Sequence, residues 1–259
     1  MSHAPLGDQS GWVWYELMTN DVAAAKSFYG TVVGWTTQDM PMPDMTYTVL
    51  QAADSGVAGI LPLSSEMTSA GMKPCWVGYI HATDVDGAAA RLKSLGGKIY
   101  REPTDIPNVG RFAVVADPQG AVFHLFKPGS SGSRTPSSDL GHIGWHELHT
   151  NDWLKAFDFY SAMFGWHRGD AIPMGAMGTY QLFTIKDLAV GAMFNSPGAT
   201  AQCFWLYYFK VTDIDAAAAR LTAGGGRLMH GPQQVPGDLW IIQATDPQGA
   251  WFALLGTRK

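Results

Sequence analysis

Cysteine, charge and long apolar runs are all scarce in this chain of 259 residues. The only two cysteines, Cys75 and Cys203, follow no metal-ligand spacing, so a disulfide framework is excluded and a reduced, cytoplasmic location is expected. Charged residues make up 15%, the net charge is −5, and no block of Lys or Arg occurs. This composition argues against a nucleic-acid binder that relies on neutralising phosphates. The uncharged stretch 188–209 is broken by turn residues at 195–198, and residues 1–11 lack a basic start before an apolar run. The sequence therefore predicts neither a membrane span nor a secretory signal.

An internal repeat is the strongest positive signal. Glu-Leu-Met-Thr-Asn-Asp at 16–21 recurs as Glu-Leu-His-Thr-Asn-Asp at 147–152, and Asp-Pro-Gln-Gly-Ala at 117–121 recurs at 246–250. Between the two copies lies a stretch rich in Gly, Ser and Pro, which is typical of a flexible linker. We predict two homologous domains, residues 1–128 and 141–259, joined by a linker at 129–140.

Each half divides again into two similar units. In the first half, an alternating strand at 12–19 leads into a helix capped by Asn20 or Asp21, and three short strands follow. The pattern restarts with a strand at 76–82 and a helix capped by Asp84. Each half thus reads as two βαβββ units. One such unit is too small to bury both faces of its sheet, so we expect the two units of a half to pair.

This plan resembles the vicinal oxygen chelate superfamily, which includes glyoxalase I, bleomycin-resistance proteins and extradiol dioxygenases. The resemblance is carried by Thr-Asn-Asp at 19–21, Phe28-Tyr29, Gly34-Trp35 and Asp-Pro-Gln-Gly at 117–120, together with their repeat copies. Within the superfamily, the tandem pattern is similar to two-domain glyoxalase-like bacterial proteins that are often labelled hydroxylases. The resemblance implies an α+β fold of two tandem domains, each a pair of βαβββ units that form a curved sheet lining a cleft.

Metal-dependent members of the superfamily carry His, Gln or Glu ligands on the first, fourth, fifth and eighth strands of such a sheet. Transferred to the first half of this chain, those positions fall on Trp14, Gly59, Val77 and His124. In the second half they fall on residues that cannot bind a metal: Trp145, Gly191, Leu206 and Ala253. No cofactor is therefore expected. A divalent metal held by His124 and Glu16 remains the alternative.

The candidate catalytic residues are Glu16, Glu147 and His124. Both glutamates lie in apolar strands, where a carboxylate must be hydrogen-bonded, paired or protonated, so each is either a general base or a structural group. His124 is either a proton shuttle beside Glu16 or a neutral core residue. The candidate substrate-binding residues are aromatic or can hold an acidic or hydroxyl group: Trp14, Trp145, Tyr79, Tyr208, Arg111 and His149.

Three functions stay open at this point. The first is an enzyme acting on a small oxygenated or aromatic metabolite, with a glutamate as acid or base and without a full metal site. The second is a non-catalytic protein that binds or sequesters a small molecule, and the third is a metal-dependent lyase or dioxygenase. The expected partner is a small-molecule ligand, with no nucleic acid and no membrane. The chain is expected to be a monomer with paired domains, or a homodimer.

Overall fold

The structure is a computed structural model that describes residues 11–42, 45–129, 139–196 and 202–259. Residues 130–138 of the predicted linker lie outside the described residues. The domain boundaries at 128 and 141 accordingly stay predictions.

The first half of the chain forms one eight-stranded mixed sheet. Its strands are β1 (Trp12–Thr19), β2 (Thr36–Pro41), β3 (Thr46–Ala52), β4 (Ser55–Pro62), β5 (Cys75–His81), β6 (Lys98–Ile106), β7 (Gly110–Ala116) and β8 (Val122–Pro128). They are ordered β2-β3-β4-β1-β5-β8-β7-β6, with β1 parallel to β4 and β5 parallel to β8. The helices are α1 (Val22–Val32), α2 (Ser65–Ser69) and α3 (Val85–Ser94). The two predicted βαβββ units are confirmed. Helix α2 is an addition that the periodicity did not indicate.

The second half repeats this sheet. Its strands are β9 (Ile143–Thr150), β10 (His167–Pro173), β11 (Thr179–Ile185), β12 (Leu188–Asn195), β13 (Phe204–Asp213), β14 (Arg227–Val235), β15 (Leu239–Thr245) and β16 (Trp251–Thr257). Their order, β10-β11-β12-β9-β13-β16-β15-β14, is equivalent to that of the first sheet. The helices are α4 (Trp153–Phe164) and α5 (Ile214–Ala223), and a 3-10 turn lies at Gly175–Met177.

Helix starts in both halves depend on one residue type. Asp21, Asp84, Asp152 and Asp213 each accept a hydrogen bond from a backbone N–H in the first turn of the helix that follows. Such a cap satisfies a donor that has no partner within the helix, which stabilises a helix by about 1 kcal/mol. The predicted caps at Asp21 and Asp84 are confirmed.

By its internal contacts the chain divides into two compact units, each of which draws on both halves of the sequence. Within the described residues, one unit consists of 11–14, 78–129, 146–196 and 202–205, and the other of 15–42, 45–77, 139–145 and 206–259. In the second unit, Tyr29 of α1 donates a hydrogen bond to Asp246 (3.1 Å) and accepts one from Trp76 Nε1 (2.8 Å).

The first unit repeats this arrangement. Tyr160 of α4 donates to Asp117 (3.3 Å) and accepts from Trp205 Nε1 (2.9 Å). The repeated Phe-Tyr and Asp-Pro-Gln-Gly motifs therefore meet across the two halves of the sequence.

These contacts also define the two faces of each sheet. Because Trp76 and Trp205 contact helices, the alternation of a strand turns their sequence neighbours to the other surface. We call this surface, turned away from α1, α3, α4 and α5, the distal face. It carries Val77 and Tyr79 of β5 and Phe204 and Leu206 of β13. Within the described residues, none of the helices is long and apolar enough to span a membrane.

Candidate functional site

A buried carboxylate with two side-chain partners lies on the distal face of the second sheet. Glu147 is only 4% exposed, and its Oε2 atom accepts a hydrogen bond from Tyr180 Oη at 2.7 Å. Its Oε1 atom lies 2.8 Å from His149 Nε2. A carboxylate in such an apolar strand needs these donors, because burial without them would cost several kcal/mol. We refer to Glu147, His149 and Tyr180 as the Glu147 centre.

Strand register brings the three residues of the Glu147 centre together. Glu147 and His149 are two residues apart on β9, so they project from the same face. Strand β12 pairs in parallel with β9, placing Phe194 beside His149, and it pairs antiparallel with β11, which begins with Thr179 and Tyr180. The phenol thus reaches Glu147 from two strands away.

Aromatic rings fix the orientation of His149. Its ring stacks on Phe204 of β13 with centroids 4.5 Å apart and planes 12° apart, and it meets Phe194 edge-on at 4.7 Å. Because a carboxylate accepts the Nε2 hydrogen bond, a neutral His149 carries its proton on Nε2 and keeps Nδ1 as an acceptor. The side chain is only 13% exposed, so most of the imidazole is shielded from water.

The equivalent carboxylate of the first sheet lacks the imidazole. Glu16 is as buried as Glu147, at 5% exposure, but the residue two positions later is Met18. Burial, and next the negative charge of Glu16, raise the pKa of the Cys75 thiol to about 11, so Cys75 is a protonated thiol at neutral pH. The two sheets are therefore chemically different at equivalent positions.

His124 lies on β8 among aromatic rings. It is 2% exposed, meets Tyr79 edge-on at 4.4 Å and lies 6.0 Å from Phe112. Burial, with a smaller contribution from the positive charge of Arg101, lowers the pKa of His124 to about 3. The imidazole is therefore neutral at physiological pH, and its Nδ1 atom has no hydrogen-bond partner among the described residues.

Arg111 lies on the helix side of the first sheet rather than on the distal face. Its guanidinium is bound by Asp86 of α3 at 2.7 and 2.8 Å and by Asp105 at 3.0 Å. These carboxylates hold the pKa of Arg111 above its ordinary value. It lines a surface groove of about 520 Å³ together with Lys127 and the β6–β7 turn. Its predicted role in holding an acidic ligand stays a prediction, and a ligand on the distal face would lie on the other side of the sheet from it.

The remaining predicted binding residues are aromatic. Trp14 and Trp145 are half-buried, and strand alternation places them on the same faces as Glu16 and Glu147. Tyr208 is buried and accepts a hydrogen bond from Gln243 Nε2 at 2.9 Å. Their contacts with a ligand stay predictions.

The donor set does not fit a resident metal ion. Among residues 11–42, 45–129, 139–196 and 202–259, no group of three or more His, Cys, Asp or Glu side chains is placed to hold one. Of the positions that correspond to metal ligands in the first sheet, only His124 carries a donor, and the rings around it are those of Tyr79 and Phe112. A divalent ion needs several nitrogen or oxygen donors on one surface.

Two tandem domains, each with a curved eight-stranded mixed sheet built from paired βαβββ units, define a vicinal oxygen chelate protein. The family model described as Glyoxalase/Bleomycin resistance protein/Dioxygenase superfamily matches residues 11–125 and again 140–254. The chain belongs to this superfamily, which confirms the resemblance drawn from the sequence.

Related sequences align with nearly the full length of the chain. CFP32 of Mycobacterium tuberculosis (strain CDC 1551 / Oshkosh), which carries the provisional name of a glyoxylase, is 32% identical over 244 residues that cover 93% of each chain. The anthracycline biosynthesis protein DauV of Streptomyces sp. (strain C5) is 30% identical and covers 95% of this chain and 93% of its own.

Solved structures agree on the fold. Homoprotocatechuate 2,3-dioxygenase from Arthrobacter globiformis matches with a TM-score of 0.69 at 16% identity, over 98% of this chain and 81% of its own. The Mn(II)-bound glyoxalase from Novosphingobium aromaticivorans matches with a TM-score of 0.66 at 16% identity, over 97% and 83%. At this identity the likeness establishes the fold and leaves the reaction to the side chains.

Several residues that contact these sites were not predicted from the sequence. Tyr180 was missed, although Thr-Tyr begins the equivalent strand in both halves, at 46–47 and 179–180, and could have marked it. Phe194, Phe204, Arg101 and Phe112 were also missed. The contact of Phe204 with His149 joins strands far apart along the chain, whereas Arg101 lies over Phe112 of the next strand, and no local pattern signals either contact.

Proposed function

We propose that the chain binds a planar, oxygenated aromatic metabolite on the distal face of the second sheet and transfers a proton there without a resident metal. The Glu147 centre carries this proposal. A histidine whose Nε2–H is held by a buried carboxylate is a common arrangement for general acid–base chemistry. We assign the proton transfer to His149 Nδ1.

Each residue of the Glu147 centre has a separate role. His149 Nδ1 accepts a proton from a ligand hydroxyl or an acidic C–H group. Glu147 is the positioning residue, since it fixes the tautomer of His149 and stabilises the imidazolium that forms. Tyr180 occupies the second oxygen of Glu147, so that the carboxylate stays oriented towards His149. Phe204 and Phe194 keep water from the ring.

The ligand class follows from the aromatic surroundings of the site and from a relative. Stacked and edge-on rings around His149 favour a flat, apolar body with few polar groups. DauV is named for anthracycline biosynthesis, and anthracyclines are planar aromatic ketones with neighbouring phenols. A phenol beside a carbonyl offers the proton that His149 would accept.

The test is a binding titration with 1,4-dihydroxyanthraquinone, followed by quenching of tryptophan fluorescence. We expect wild-type protein to bind it, and Glu147→Gln and His149→Gln to weaken binding by about tenfold, the loss expected for a hydrogen bond in a dry site. Glu16→Gln is the matched control, because it removes the equivalent carboxylate of the first sheet. Equal losses in Glu16→Gln and Glu147→Gln, or no binding to wild type, would overturn the proposal.

Sequestration without chemistry is an outcome of the same experiment. If the anthraquinone binds wild type and His149→Gln equally well, the protein holds the ring without using the imidazole, and the proton-transfer role is wrong.

A further inference from the structure

We infer that the distal face of the first sheet carries a second ligand site, formed by Arg101, Phe112, Tyr79 and His124, and that it takes a small aromatic carboxylate. This site is separate from the Glu147 centre and does not depend on the function proposed for it.

Arg101 supplies a positive charge at the rim of this site. Its guanidinium carbon lies 4.9 Å from the centroid of the Phe112 ring, and the residue is exposed on β6. Within the described residues it has no ion pair with a carboxylate, in contrast to Arg111 on the neighbouring strand, which has two. An arginine held over an aromatic ring is well placed to bind a carboxylate with two parallel hydrogen bonds.

Strand register places these side chains on the same surface. Arg101 pairs with Val114, Val114 pairs with His124, and His124 pairs with Tyr79, so the row runs straight across four strands. Phe112 lies two residues from Val114 and thus on the same face, where it contacts both Arg101 and His124. Alternation sends Arg111 to the opposite face.

His124 supplies the polar group at the inner end of the site. Its Nδ1 atom is fully buried and has no hydrogen-bond partner among the described residues. An unpaired buried polar atom is costly, so a ligand oxygen that reaches Nδ1 would remove this cost. The rings of Tyr79 and Phe112 flank it and fit an aromatic body.

The second sheet does not repeat this site. The positions equivalent to Arg101, Phe112 and His124 are His230, Ile241 and Ala253. The equivalent of Tyr79, Tyr208, is bound instead by Gln243, which stands where the first sheet has Val114. A ligand that needs a cation, a ring and a buried imidazole together would bind to the first sheet alone.

The experiment is calorimetry with benzoate, salicylate, 4-hydroxybenzoate and 4-hydroxyphenylacetate at millimolar concentration, with 4-hydroxybenzamide as the uncharged comparison. We expect at least one acid to bind saturably. Arg101→Gln should weaken it by about tenfold or more, since hydrogen bonds to a charged group are lost. The amide should bind equally to both proteins. Arg111→Gln is the matched control, an arginine of the same hairpin whose removal should leave the affinity unchanged.

A second readout avoids any variant at the buried histidine. In protein with 15N-labelled histidine, the Nδ1 resonance of His124 should shift when the bound acid saturates wild type, and the shift at the same concentration should be smaller in Arg101→Gln. If no acid binds, if Arg101→Gln binds like wild type, if Arg111→Gln weakens binding equally, or if Nδ1 does not respond, the inference is wrong.

Discussion

Acid should destabilise this protein through two buried histidines. Burial lowers the pKa of His124 to about 3 and that of His146 to about 4, against an ordinary value of 6.5. His146 stacks on Trp12 with centroids 5.1 Å apart, and its Nδ1 donates to the carbonyl of Val190 at 2.8 Å. In the unfolded chain both imidazoles take up protons near their ordinary pKa, whereas in the folded protein they stay neutral.

The direction of the pH dependence of stability follows from this difference in pKa between the folded and unfolded states. Because the folded pKa values lie below the unfolded ones, the unfolded state binds more protons between about 6.5 and the folded values, and stability falls as the pH drops through this range. Between about pH 7.5 and about pH 5 the loss amounts to about 2 kcal/mol for each histidine. This figure is insensitive to the exact folded pKa, provided that it lies below about 4.5.

The assay is urea unfolding at a series of pH values, followed by tryptophan fluorescence, for wild type, His124→Leu and His146→Phe. Each variant should lose about 2 kcal/mol less than wild type between about pH 7.5 and about pH 5. The raised pKa values of the buried Asp117 and Asp246 act in the opposite direction, but they are common to all three proteins and cancel in the comparison. Parallel curves for wild type and both variants would show that folding does not lower the pKa values of His124 and His146.

Two further changes test the packing. Tyr160→Phe removes the hydroxyl that donates to Asp117 and accepts from Trp205. Thermal denaturation should show that the free energy of unfolding falls by about 1–3 kcal/mol. An unchanged melting temperature would contradict these hydrogen bonds. Gly191→Ala places a Cβ atom against the carbonyl oxygen of His146, so the strands must shift, and calorimetry should show a loss of about 1–3 kcal/mol. A variant as stable as wild type would contradict the pairing of β12 with β9.

The order of strands and helices could be predicted because it depends on local sequence patterns. Alternation of side chains predicted the strand at 12–19, and a capping residue predicted the helix after Asp21. The internal repeat predicted the same elements in the second half. Boundaries failed where the pattern weakens. Strand β6 runs to Ile106, although its outer half is polar and contains Pro103, which an edge strand tolerates, so no alternation marks where it ends. Helix α2 is short and was not predicted, although Ser64 caps it.

Contacts between residues far apart in the sequence could not be predicted. Repetition shows that Phe-Tyr and Asp-Pro-Gln-Gly occur twice, but not that Tyr29 bonds to Asp246 of the other half rather than to Asp117 of its own. The same holds for the contacts in the two candidate sites. No local sequence pattern indicates that Tyr180 donates a hydrogen bond to Glu147. None indicates that Arg111 forms ion pairs with two carboxylates while Arg101, within the described residues, forms none. Such choices depend on register across a sheet.

The most direct test of the Glu147 centre is the visible spectrum of bound 1,4-dihydroxyanthraquinone. Loss of a phenolic proton moves the absorption band of this compound to longer wavelength, so the spectrum reports the proton that His149 is assigned to accept. We expect a red-shifted band on wild-type protein, and an unshifted band on His149→Gln at saturating protein. The same red shift on both proteins, or an unshifted band on wild type, would contradict it.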